Sequence, residues 1–144
     1  LLQLAVSKLV AKTPPLPTMI AGIALGTAGM GLLAFSDTAW IFLAGVFVFS
    51  LGEMTTHPKF ISYVGLIAPK DKVALYMGYM FLYGVIGSSI GGVVGGYGYG
   101  YFVRELHQPC LLWLLFSGIG LATIAGLLLY NRFVAPRPAE GAGA

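Results

Sequence analysis

The apolar stretch over residues 39–67 constrains the fold of this chain more than any other feature. It reads AWIFLAGVFVFSLGEMTTHPKFISYVGLI, which exceeds the roughly 20 apolar residues that a helix needs to cross a bilayer. Glu53 lies near its middle, where an ionised carboxylate costs about 2.5–3.5 kcal/mol on insertion scales. Such a carboxylate normally faces a cavity or a partner. The stretch therefore predicts a membrane helix that carries a polar site.

The composition of the whole chain also indicates a membrane protein. Of its 144 residues 58% are hydrophobic and only 9% are charged, whereas about 25% are charged in typical soluble domains. The formal net charge is +3 without a basic tract among aromatic residues, so the expected partner is the lipid bilayer and not nucleic acid. Because the chain begins with leucine and has no signal-peptide pattern, we expect it to be a fragment of a longer protein.

The apolar segments predict an all-α integral membrane protein with four transmembrane helices. Residues 1–12 are too short to span, and the prolines that follow end any helix there. Ser36 or Asp37 is expected to cap the second span, Asp71 is expected to cap the third, and 131–144 is expected to form a polar cytoplasmic tail. The predicted spans are 16–35, 39–67, 73–103 and 110–130.

The distribution of lysine and arginine predicts the orientation of the four spans. Arg104 lies on one side of the membrane, and six basic residues lie on the other: Lys8, Lys12, Lys70, Lys72, Arg132 and Arg137. The positive-inside rule makes the crowded side cytoplasmic. Both ends of the chain are then cytoplasmic, and we expect the protein in the plasma (inner) membrane.

Glycines at four-residue spacing predict close helix packing. Gly22 and Gly26 form a small-xxx-small pair on the first span, which lets a neighbouring backbone approach. Two adjacent ridges of the same kind run along the third span, and one or the other is expected to contact another helix closely. The ridges are Gly87, Gly91 and Gly95, and Gly92, Gly96 and Gly100.

Glu53 and His57 form the predicted site. They lie four residues apart and so share one face of the helix, and Pro58 directly after them tends to kink it. A membrane carboxylate next to a histidine is a pattern of proton relays in transporters. The alternative is a structural role, in which a neutral Glu53 is hydrogen-bonded to small residues of a neighbouring helix.

Further polar residues near this site have two interpretations each. The hydroxyls of Thr55 and Thr56 either bond the helix backbone or contact a substrate. Lys59 either snorkels to the cytoplasmic interface or faces a cavity. A tyrosine stripe on the third span is either an anchor or a cavity wall, and its deepest member, Tyr83, is the best candidate for the wall.

A series of small and charged residues runs along the second and third spans: Leu51-Gly52-Glu53-Met54, Pro58, Ala68-Pro69-Lys70, Tyr76-Met77-Gly78, Gly87 and Gly91-Gly92. This series resembles helices ten and eleven of the major facilitator superfamily. Within the superfamily it is most similar to the proton-dependent oligopeptide transporters. That family has a "GE" in helix ten, a proline shortly after, "AP" with a basic residue in the next loop, and "MG" opening helix eleven.

The resemblance implies an alternating-access transporter of which this chain is the C-terminal portion. The four spans would correspond to helices nine to twelve, residues 1–12 to the end of helix eight, and the missing N-terminal helices would be partners. In the peptide family the glutamate of helix ten is associated with the substrate amino terminus, and Glu53 holds that position. His57 has no counterpart in the family pattern, and the family's proton-coupling glutamates of helix one lie outside the chain.

The expected function is secondary active transport, with proton-coupled symport of small peptides or similar small solutes. A four-helix membrane scaffold or interaction protein is the alternative, with Glu53 serving only packing. No nucleophile–base pair or metal triad is visible, so we expect no enzyme activity and no metal. The Gly96-x-Gly98-x-Gly100 run lacks the preceding strand and following helix of a nucleotide loop, and we expect no cofactor.

Overall fold

The structure, a computed structural model, describes residues 2–35 and 38–134 as a bundle of helices. A short helix precedes four long apolar ones, each with the length and composition to cross a membrane. The predicted all-α fold class with four spans is thereby confirmed. The helices are α1 (Leu2–Val10), α2 (Pro15–Ala34), α3 (Ala39–Ile67), α4 (Val73–Gly98, continuing as a π-helix over Tyr99–Glu105) and α5 (Pro109–Phe133).

The helix ends differ in detail from the predicted ones. The capping role expected of Ser36 or Asp37 lies outside the described residues, and α3 begins after Thr38 in extended conformation. Lys72, not Asp71, occupies the N-cap position of α4, because the backbone turn from Pro69 to Lys72 closes first with its own hydrogen bond. α5 continues three residues beyond the predicted end, where Arg132 suits the negative end of the helix dipole.

Glycines join α2 and α3 into a closely packed antiparallel pair. A Cβ built on Gly52 would lie 2.5 Å from the Gly26 nitrogen and 2.6 Å from the Gly22 oxygen. One on Gly29 would lie 2.8 Å from the oxygen of Gly45. Any side chain at these positions would therefore force the two backbones apart. The close packing expected of Gly22 and Gly26 is present here, and the partner glycines lie on α3.

The glycine ridges of α4 meet almost nothing among the described residues. A Cβ on Gly87 or Gly91 would have no atom within 4 Å outside the helix's own nearby backbone, whereas one on Gly95 would meet the Phe116 ring at 3.5 Å. The described part of the chain therefore supplies no partner at Gly87 or Gly91, and the interface expected along this ridge stays a prediction. The contacts of α4 with α3 include Met77 and Tyr83, and those with α5 include Gly95, whereas residues 84–93 between them are exposed.

One end of the bundle gathers the α1–α2 turn, the α3–α4 loop and the end of α5. Lys59 of α3 reaches the carbonyl of Thr13 in the turn. Further along α3, the Tyr63 hydroxyl is 2.9 Å from that of Tyr130 on α5. Successive long helices therefore run in opposite directions, and the α1–α2 turn and the end of α5 lie at the same end of the bundle. Which side of the membrane it faces stays a prediction from the basic residues.

Candidate functional site

A cavity of about 860 Å³ opens beside the middle of α3. All five helices contribute to its wall. Most of the wall is apolar, with a few polar side chains concentrated on α3, which is the usual character of a small-molecule site. The lining residues are Gln3, Met19, Ile23, Ser50, Glu53, Met54, Thr56, His57, Phe60, Tyr83 and Thr123.

The structure brings four of the five predicted proton-handling and cavity residues to this wall. Glu53, Thr56 and His57 come from α3 and Tyr83 comes from α4, while Lys59 lies elsewhere. The i, i+4 spacing of Glu53 and His57 explains why both reach the same cavity. These four side chains thus share one cavity, and their role in handling a proton or a substrate stays a prediction.

Glu53 is the middle residue of α3 and is exposed to the cavity. No described side chain or backbone group forms a hydrogen bond or ion pair with its carboxylate. Taking a carboxylate out of water without a partner is strongly unfavourable. The Glu53 carboxylate is therefore available to a proton, to a ligand, to water or to a group outside the described residues.

His57 is connected to α4 through Tyr83. The tyrosine hydroxyl lies 3.4 Å from Nδ1 of His57, a long and therefore weak hydrogen bond. The Tyr83 ring also packs edge-on against Phe60, with 4.8 Å between ring centroids. Tyr83 thus forms part of the cavity wall, and it is where α4 meets the polar face of α3.

The threonine hydroxyls near Pro58 bond carbonyls of α3 other than the one that the proline leaves without its helical donor. Pro58 lies inside the helix and has no N–H for the carbonyl of Met54. The hydroxyl of Thr56 donates to the Gly52 carbonyl at 2.9 Å, and that of Thr55 donates to Leu51 at 2.8 Å. Both threonines therefore bond the backbone, and Thr56 keeps only acceptor capacity for a ligand.

Lys59 follows neither of its two predicted roles. Its side chain is only 6% exposed, so it does not snorkel to the interface, and it does not line the cavity. Its ammonium donates to the carbonyls of Ala11 at 3.2 Å and Thr13 at 2.7 Å. The α1–α2 turn covers this face of α3, and its carbonyls therefore replace water as acceptors.

Sequence reasoning missed the walls that come from other helices. Gln3 of α1, Met19 and Ile23 of α2 and Thr123 of α5 all line the cavity. Thr123 was detectable in principle as a hydroxyl within an otherwise apolar span, although it donates to the Ile119 carbonyl at 2.9 Å. Met19 and Ile23 carry no signal that separates them from ordinary packing residues.

Comparison with known proteins identifies the family of this chain. The family model of the Major Facilitator Superfamily matches residues 1–144. The chain is 32% identical over 115 residues to the multidrug resistance protein MdtH of Aeromonas hydrophila. It is 34% identical over 119 residues to the protein of the same name from Aeromonas salmonicida. No solved structure matches the chain.

The matches support the predicted resemblance to the superfamily but not the narrower one to its peptide transporters. Each covers 80% of the chain but only 28% of the relative, so the chain spans little more than a quarter of those proteins. The narrower resemblance to the oligopeptide transporters receives no support from them. The four apolar helices and the family match agree on an integral membrane protein. The chain belongs to the major facilitator superfamily.

Proposed function

We propose that the protein is a secondary transporter that moves a small amphipathic solute with a positive charge across the membrane by alternating access, in exchange for protons. The observation that carries the proposal is Glu53, a carboxylate at the middle of a membrane helix that has no partner among the described residues and lies in the wall of a largely apolar cavity. Such a wall accepts apolar surface, and the single carboxylate selects for a cation.

Competition for Glu53 supplies the coupling. The carboxylate is stabilised either by a bound proton or by a cationic solute, and both cannot occupy it together. Binding of the solute on one side therefore releases the proton, and binding of a proton on the other side releases the solute. Movement in opposite directions follows from this exchange. The relatives named for multidrug resistance support export over uptake.

Proton-coupled symport of small peptides is the second candidate, favoured by the resemblance to the oligopeptide transporters. In it Glu53 would bind the amino terminus of the peptide. A peptide also carries a carboxylate, and no lysine or arginine of the described residues lines the cavity. Competition by an uncharged-side-chain dipeptide, such as dialanine, separates the candidates, because only a peptide transporter loses its signal to it.

Glu53→Gln in the full-length protein tests the proposal. Purified protein in liposomes with an imposed pH gradient is assayed with ethidium, an aromatic cation. We expect the rate of gradient-driven ethidium movement to be at least about ten-fold lower in the variant, because glutamine is a permanently neutral analogue of the acid. Glu105→Gln is the matched control, since Glu105 ends the π-helix after α4 and lies away from this cavity.

The possible outcomes separate the interpretations. If Glu53→Gln moves ethidium as well as the parent does, Glu53 has no role in coupling and the proposal is wrong. If the parent itself moves neither ethidium nor dialanine, the membrane scaffold becomes the better interpretation. Loss of ethidium movement in Glu53→Gln, with the control unaffected and both variants equally folded, supports the exchange mechanism.

A further inference from the structure

Lys59 is a buried cation that the transport mechanism above does not use. It is 6% exposed and its ammonium has two backbone acceptors, the carbonyls of Ala11 and Thr13. A buried ammonium is tolerated only when such acceptors replace its water shell. These bonds join residues 48 and 46 positions apart in sequence, so they are a tertiary connection between α3 and the α1–α2 turn.

The turn that Lys59 binds is internally ordered by threonine hydroxyls. Pro14 and Pro15 have no N–H to donate, and Thr13 instead donates its N–H and its hydroxyl to the Val10 carbonyl at 3.1 and 2.7 Å. Thr18 of α2 donates to the Pro14 carbonyl at 2.7 Å. The end of α1, the turn and the start of α2 are thus tied to one another, and Lys59 attaches this unit to α3.

Lys59 comes one residue after Pro58 and four residues before Tyr63, which contacts α5. It therefore acts where a proline weakens the α3 backbone hydrogen bonds. The unit it holds includes α1, and α1 contributes Gln3 to the cavity that contains Glu53 and His57. Lys59 itself is absent from the cavity wall, so its influence on a ligand is indirect, and α1 is the wall element that the attachment holds.

We propose that Lys59 is a positioning residue, which docks the α1–α2 turn on α3 and thereby sets the α1 wall of the transport cavity. The part of this inference that concerns the ligand rests on the transport function proposed above. The docking of the α1–α2 turn on α3 does not depend on that function. Removal of the ammonium frees two carbonyls from α3 and lets α1 move away from Glu53, which weakens binding of the solute more than it slows its passage.

The docking is tested without any transport measurement. Nitroxide labels at the exposed positions Leu4 of α1 and Ser62 of α3 report the distance between the two helices by pulsed electron resonance. Lys59→Met, which keeps length but not charge, should broaden or shift the distribution of the full-length protein. Lys59→Arg should retain the parent distribution, as should Lys70→Met, which removes the same charge from an exposed loop.

The ligand effect is tested with ethidium in the liposome assay. Lys59→Met should raise the half-saturating concentration about five- to ten-fold, as expected when a hydrogen bond to a charged group is lost, with a smaller change in the maximal rate. Lys59→Arg should keep the half-saturating concentration close to that of the parent. A general loss of folded protein would lower the maximal rate instead, so the split between the two constants distinguishes positioning from instability.

Chemical labelling of the parent protein covers the case in which Lys59→Met does not fold. Acetic anhydride followed by mass spectrometry should leave Lys59 protected, while the exposed Lys8 and Lys12 react. Equal reactivity of Lys59 and Lys12, or an unchanged distance distribution in a folded Lys59→Met, overturns the docking. An altered distribution with an unchanged half-saturating concentration overturns the positioning of the cavity. An altered distribution in a protein whose parent moves no ethidium supports the docking and overturns the proposed transport function.

Discussion

At the residue scale, Glu53 and His57 line one cavity but are held in different ways. His57 has a neighbour in the Tyr83 hydroxyl at 3.4 Å, whereas the Glu53 carboxylate has no partner among the described residues. A group without a fixed partner can exchange a proton and a ligand without first breaking a protein contact. Glu53 is therefore suited to the exchange step, and Tyr83 to holding the histidine ring.

Tyr83→Phe tests this division of roles. The substitution removes the hydroxyl and keeps the ring that packs on Phe60. Because the hydrogen bond is long, we expect a loss of less than about 1 kcal/mol, or up to about five-fold, in the apparent affinity for ethidium. Tyr79→Phe is the matched control, since Tyr79 is 60% exposed and lies outside the cavity. A Tyr83→Phe protein with an unchanged titration against ethidium would contradict the role of the hydroxyl.

At the scale of elements, α2 and α3 are the most closely packed pair of helices in the described bundle. Its helices approach so closely that backbone atoms of Gly22 and Gly26 lie where a Gly52 side chain would be. Close approach of this kind is how membrane helices gain packing energy in a solvent that is as apolar as their side chains. Glu53 follows Gly52 directly, so this contact also fixes the position of the carboxylate along α3.

Gly52→Ala is therefore expected to destabilise the protein. An inserted methyl group with no room typically costs about 1–3 kcal/mol, and the backbones on both sides cannot yield as a flexible side chain would. Thermal unfolding of the purified full-length protein in detergent measures the effect. Gly126→Ala on α5 is the matched control, because a Cβ there meets nothing within 4 Å. Equal unfolding temperatures of the two variants would show that the α2–α3 contact is looser than the structure indicates.

At the scale of the whole molecule, the segments that carry most of the basic residues lie at one end of the bundle. The end of α1, the α1–α2 turn, the α3–α4 loop and the end of α5 lie together, and five of the six basic residues on the predicted inner side belong to these described segments. The structure shows that they share one end of the bundle. The positive-inside rule adds the expectation that this end is cytoplasmic.

Cysteine labelling of the α3–α4 loop tests the orientation. With the native Cys110 replaced by serine, Asp71→Cys in the full-length protein should react with a membrane-impermeant maleimide only after the cells are permeabilised. Leu106→Cys, in the turn at the other end of the bundle, should react in intact cells. The reverse labelling pattern would invert the topology and would place the basic residues outside.

The sequence by itself determined the elements of this protein that depend on local pattern. The four spans follow from the length of apolar runs, and the pairing of Glu53 with His57 follows from helix geometry. Contacts between helices required the tertiary structure. Glycine spacing is the same on α2 and α4, yet among the described residues α2 has a close partner along its ridge and α4 has none at Gly87 or Gly91, because spacing cannot tell which helix lies opposite. In the same way, Lys59 is attached to a turn 46 residues away, and no local rule distinguishes that burial from an exposed lysine.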